Sequence, residues 1–150
     1  MANYTAAIPF IKKAEGGLSR VKTDSASAHP APWPYNGHSD WHTNKGVTYQ
    51  TFAALAPKLG YAITPENFFA MPDAIWYKIY KTYWDSAKGD LIDSTAIAIA
   101  LVDWYYNGSA KPKTWLNKSY GIPLNAMPFA KDTAAAINKV VKQHLSLIHI

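Results

Sequence analysis

Ala7, Ile8, Ile11 and Ala14 recur at helical spacing, which predicts an amphipathic helix over 4–14. Thr5 is the expected N-cap, with Pro9 early in the run. Gly16-Gly17 stop this helix, since glycine readily takes the left-handed conformation of a helix C-terminus. From Leu18 to Asn44 no periodicity survives. Pro30, Pro32 and Pro34 break regular structure there, and Asn36-Gly37 marks a turn. Loops this long are uncommon and usually either functional or disordered. Trp33, Tyr35 and Trp41 argue against disorder, so the stretch is a candidate binding lip.

Beyond it, Phe52, Leu55 and Ala56 share one face of a helix expected over 48–59. Thr64-Pro65-Glu66 reads as a helix start: a threonine cap, proline in the first turn and an acid at the dipole's positive end. Ile75, Trp76, Ile79, Tyr80 and Tyr83 form an apolar stripe over 72–84. Asp93 and Ser94 open a run over 95–106 that is apolar nearly all round, and is therefore expected to be central and buried. Asn107-Gly108 ends it, and two further helices are expected over 113–120 and 131–141. No alternating strand of convincing length occurs, although the 18–47 region can hold a short hairpin. The class is mainly α.

Composition narrows the function classes. The 150 residues are 49% hydrophobic and 17% charged, a globular balance in a chain of one-domain length. The absence of cysteine excludes a disulfide framework, a thiolate zinc site and a cysteine nucleophile. The most apolar run, 95–102, is far short of the ~20 residues that cross a bilayer. Lys12 and Lys13 follow the N-terminal apolar stretch rather than precede it, unlike a secretory signal. Production in the cytoplasm is therefore expected. The net charge of +5 rests on lysine, with Arg20 the single arginine. Lysine cannot replace the guanidinium fork in bidentate base contacts, which counts against sequence-specific nucleic-acid binding. It does suit diffuse attraction to any polyanion, an anionic cell wall included, and equally a solvated surface that keeps the protein soluble.

The chemistry-bearing candidates lie near the front. Glycoside hydrolysis needs a proton donor at the leaving oxygen and usually a second carboxylate for water or the sugar. Glu15 ends the first predicted helix, where the dipole disfavours a charged carboxylate and favours its protonated form. Asp24 follows within the loop. Trp33, Tyr35 and Trp41 either stack on sugars or fold back over the core. Asn107 is a candidate sugar contact with an equally good local role as a helix end. His29, His38, Asp40 and His42 have the residue types of a zinc site, but His-rich loops without cysteine or a helical His pair are usually not metal sites. No metal or other cofactor is expected. Asp103, in an apolar run, reads as a structural acid.

Four motifs carry a family resemblance. Phe10-Ile-Lys-Lys-Ala-Glu-Gly-Gly17 and Thr43-Asn-Lys-Gly-Val-Thr48 resemble the start of glycoside hydrolase family 108, the phage-associated N-acetylmuramidases. Ile79-Tyr-Lys-Thr-Tyr-Trp-Asp85 is similar to that family's Tyr-Trp-Asp segment. Ala100-Leu-Val-Asp-Trp-Tyr-Tyr-Asn-Gly108 is similar to the start of the predicted peptidoglycan domain that usually follows. The resemblance implies a lysozyme-like helical domain and an endolysin that cleaves the glycan strand of peptidoglycan as a monomer. It makes Glu15 the general acid, Asp24 the residue that positions water or steadies the developing cation, and Thr43 or Thr48 the group that orients that water.

It also implies a hydrolase part over 1–92 and a peptidoglycan-binding part over 93–144, while residues 145–150 read as a non-native tail. Two departures stand out. Ser25–His42 replaces the family's tight Pro-Gly-Gly loop, which implies altered wall specificity. The segment 123–133 lacks the Asp-Gly…Gly-Pro-x-Thr pattern of the binding part. A non-catalytic glycan-binding module, built on the loop aromatics and lysines, is the alternative function.

Overall fold

Helix α1 spans Tyr4–Ala14, over the predicted residues, but it begins one residue before the expected cap. Asn3 caps it instead, its Oδ1 accepting from the Ala6 N–H at 3.3 Å. These details belong to a computed structural model that describes residues 1–14, 16–106 and 131–148. Glu15, Asn107, the Asn107-Gly108 stop and the helix predicted over 113–120 lie outside the described residues. Among the described residues the architecture is mainly helical with one two-stranded antiparallel hairpin, consistent with a lysozyme-like helical fold. The chain forms two compact units, Lys12–Tyr80 and Met1–Ile11 with Lys81–Ile150.

In the unit Lys12–Tyr80, the loop after α1 is ordered by local hydrogen bonds. Asp24 caps a short 3-10 turn over Ser25–Ala28 by accepting from the Ala26 N–H. Asn36 and Gly37 both take positive φ, the backbone a two-residue hairpin turn needs, and Tyr35 and His38 bridge across them. The same geometry recurs at Lys45-Gly46, which joins β1 (Thr43–Asn44) to β2 (Val47–Thr48). Thr43 pairs with Thr48 in this hairpin.

Helix α2 covers only Tyr49–Leu55, capped by Thr48, and the rest of the predicted element tightens into a 3-10 turn over Pro57–Leu59. Proline at position 57 has no N–H to continue the α-helical ladder. Helix α3 (Pro65–Phe69) starts as predicted, with Thr64 Oγ1 accepting from Asn67 N–H. Helix α4 spans Asp73–Ser86 and buries Ile75, Trp76, Ile79 and Tyr80 of its stripe. Phe52 and Phe68 complete an aromatic core, packed 5.5 Å apart.

In the other unit, α5 spans Thr95–Tyr106, with Ser94 Oγ near the Ile97 N–H. It buries Ala98, Leu101 and Val102, whereas Ala96, Ile97 and Ala100 are exposed. The helix is thus buried on one face rather than all round, a correction to the expectation from its composition. Helix α6 covers Lys131–Ile148, longer than predicted, and runs into the segment read as a tail. It contributes Ala134 and Ile137 to the core. Its Asn138 holds the turn before α5, accepting from Asp93 N–H and donating to the Leu91 carbonyl, both at 2.7 Å. Gly89 in that turn lies flat against the Trp84 indole, where a side chain has no room. Burial raises the Asp103 carboxyl above the ordinary carboxylate range.

Candidate active site

The hairpin of the Thr-Asn-Lys-Gly-Val-Thr motif is fastened residue by residue. Asn44 is buried, and its Nδ2 donates to the carbonyls of Phe68 and Phe69 at 2.8 Å each. These are end-of-helix carbonyls that α3 leaves without an intrahelical partner. Lys45 Nζ donates to the next two carbonyls, Ala70 and Met71, at 3.2 and 2.9 Å. The Lys45 carbonyl in turn accepts from Trp76 Nε1 at 3.0 Å. A motif of six residues therefore fixes its own turn onto the α3–α4 connection.

Thr43 faces a different partner. The strand-like segment at Ser19 runs beside β1, with Ser19 N–H donating to the Thr43 carbonyl at 2.9 Å. Between these segments lies His42, fully buried. Its Nδ1 is 2.8 Å from Thr43 Oγ1, and its Nε2 is 3.1 Å from the Val21 carbonyl. The same Val21 carbonyl accepts from the Asp24 N–H at 3.1 Å. The imidazole thus links the Thr43 hydroxyl to the turn that carries Asp24. Asp24 is exposed, and its Oδ1 accepts from the Ala26 N–H at 3.0 Å.

Thr48, the other candidate threonine, is committed elsewhere. Its hydroxyl accepts from Thr51 N–H at 3.1 Å and donates to Thr51 Oγ1 at 3.0 Å. Glu15 lies outside the described residues, but its sequence neighbours do not. Gly16 and Gly17 follow α1 without taking the left-handed conformation expected of them. Gly16 lines an open pocket together with Lys12, Lys45 and Trp76. Lys12 also donates to Asp73 Oδ2 at 2.8 Å and holds that carboxyl below its usual range.

The loop aromatics pack against neighbouring groups, with Trp33 and Trp41 half-buried and Tyr35 exposed. Tyr35 stacks on Phe69, with ring centres 4.4 Å apart and planes 13° apart. Trp33 meets Tyr49 and Phe69 edge-on. Trp41 Nε1 donates to the carbonyls of Tyr35 and His38, and the Arg20 guanidinium sits 5.6 Å from its ring centre. Among the described residues, no group of three or more His, Cys, Asp or Glu side chains is placed to hold a metal ion. His42 is instead engaged at both ring nitrogens, a role that its alternation with His38 and Asp40 did not disclose.

A family model described as glycosyl hydrolase 108 matches residues 8–108. The chain belongs to this family. Comparisons with curated proteins and with solved structures give no match. The family 108 span runs from within α1 to the end of α5, so the His42 linkage and the fastened hairpin both fall inside a glycoside hydrolase domain. No helix among the described residues of this family 108 member is long and apolar enough to cross a membrane.

Proposed function

We propose that this family 108 protein is an N-acetylmuramidase that cleaves the glycan strand of bacterial peptidoglycan, in the manner of a phage endolysin. What supports the reading is the family match over residues 8–108, a span that includes Glu15, Asp24, Thr43 and Thr48. Glu15 protonates the glycosidic oxygen as the bond to the anomeric carbon breaks. Asp24 manages the incoming water or the oxocarbenium-like charge, and Thr43 orients that water. Thr48 is the weaker of the two threonines because its hydroxyl already caps α2. Trp33, Tyr35 and Trp41 border the site as a packed aromatic wall, and Asn107 contacts the sugar chain.

In the same reading, residues 1–92 carry the hydrolase and 93–144 hold the wall, although the family match runs past this boundary to 108. The protein is made in the cytoplasm, acts on the wall after release, and works as a monomer. The test is to digest purified sacculi, reduce the products with borohydride and identify the new ends by mass spectrometry. Reduced N-acetylmuramic acid at the new ends is the expected result. Reduced N-acetylglucosamine rejects the muramidase assignment, and intact strands with bound protein favour a glycan-binding module.

A further inference from the structure

The imidazole of His42 is buried and bonded on both sides, and the chemistry of its partners settles its tautomer. A backbone carbonyl can only accept, so the 3.1 Å contact with Val21 requires the proton on Nε2. In the neutral ring, Nδ1 is then an acceptor. The group 2.8 Å away, Thr43 Oγ1, must therefore donate its only hydroxyl proton to Nδ1. With that proton committed, the outward lone pairs of Thr43 can only accept. Thr43 is half-exposed.

We propose that His42 is a positioning residue: it fixes Thr43 as a hydrogen-bond acceptor for the attacking water. This rests on the muramidase reading above. A water that donates one hydrogen bond to Thr43 and the other to the Asp24 carboxylate keeps both lone pairs free, one of them for the anomeric carbon. A threonine free to donate would engage one lone pair and turn the water from this orientation. In the step, the water oxygen bonds to the anomeric carbon, the bond to the leaving sugar breaks, Glu15 supplies the leaving oxygen's proton and Asp24 takes the water's proton. The Val21 carbonyl accepts from both His42 Nε2 and Asp24 N–H, so the two water-holding groups share one backbone anchor.

Two substitutions separate this role from a merely structural one. Asparagine places its amide oxygen where Nδ1 stood and keeps the acceptor for Thr43. Glutamine places its amide nitrogen where Nε2 stood and keeps only the bond to Val21. The experiment measures kcat and KM on solubilised peptidoglycan for wild type, His42→Asn, His42→Gln, Thr43→Val and the double variant His42→Gln with Thr43→Val, each checked for folding by urea unfolding.

The expected result is a kcat lowered roughly 10- to 100-fold in His42→Gln, the scale of a misplaced reactant, with KM little changed. His42→Asn retains most of kcat despite losing the Val21 bond, and His42→Gln has no further effect in the Thr43→Val background. Equal kcat in the two His42 variants, with wild type active, overturns the inference while leaving the muramidase reading intact. An inactive wild type overturns both. Nitrogen-15 NMR of the wild-type imidazole gives a readout free of activity: protonated Nε2 with bare Nδ1 is expected, and the reverse tautomer overturns the proposal.

Discussion

The side-chain amide of Asn44 closes the end of a helix it does not belong to, donating to both Phe68 and Phe69 carbonyls. Asn44→Ala removes both donors inside a buried site. Each acceptor left unpaired costs roughly 1–3 kcal/mol, so for the two a loss of about 2–6 kcal/mol is expected in urea unfolding. A loss below half a kilocalorie, roughly the background of surface changes, would show that the hairpin is not fastened this way.

Gly89 offers a second check, independent of the site. Its missing side chain leaves room for the Trp84 indole, whose Nε1 donates to Asp90 at 2.8 Å. Gly89→Ala forces the ring to move and is expected to destabilise the protein by about 1–3 kcal/mol, the usual cost of overpacking. An unchanged thermal midpoint would contradict the close approach.

Asp103 provides a pH signature. Burial raises its folded carboxyl above the unfolded value, so the folded state holds a proton more tightly there. Its contribution to stability is most favourable below the ordinary carboxylate range and declines as pH rises through the raised value. Asp103→Asn removes this decline. The stability of the variant relative to wild type is therefore expected to be better at pH 7 than at pH 3. The opposite slope in unfolding measurements at the two values would refute the assignment.

Trp33 separates packing from binding in the loop. Its edge contacts with Tyr49 and Phe69 predict that Trp33→Ala lowers stability by about 2 kcal/mol, less than a fully buried tryptophan would. Loss of affinity for sacculi with no change in the unfolding midpoint would assign the ring to sugar contact alone.

Much of the fold was legible because local chemistry decided it. Thr64-Pro65 started α3 as read, Asn36-Gly37 made its turn, and the α1 span followed from apolar spacing. The misses have physical causes. Asn3 competes with Thr5 as a cap because both are good acceptors, and propensity alone cannot rank them. The one-sided exposure of α5 depends on which tertiary neighbours reach it, which composition does not encode. In the candidate site, Asp24 and Thr43 were legible as motif residues, whereas His42 was not. Its alternation with His38 and Asp40 has the residue types of a ligand set, a reading already disfavoured in the sequence, and only burial between Val21 and Thr43 reveals a two-sided linker.

The central claim is that Glu15 donates the proton that breaks a glycan strand. The direct test is reducing-end release from purified sacculi by wild type and by Glu15→Gln, both matched in folded fraction. Activity in wild type that falls at least about a hundredfold in the variant is predicted, the scale of lost general acid catalysis. Equal release by the two proteins would contradict it.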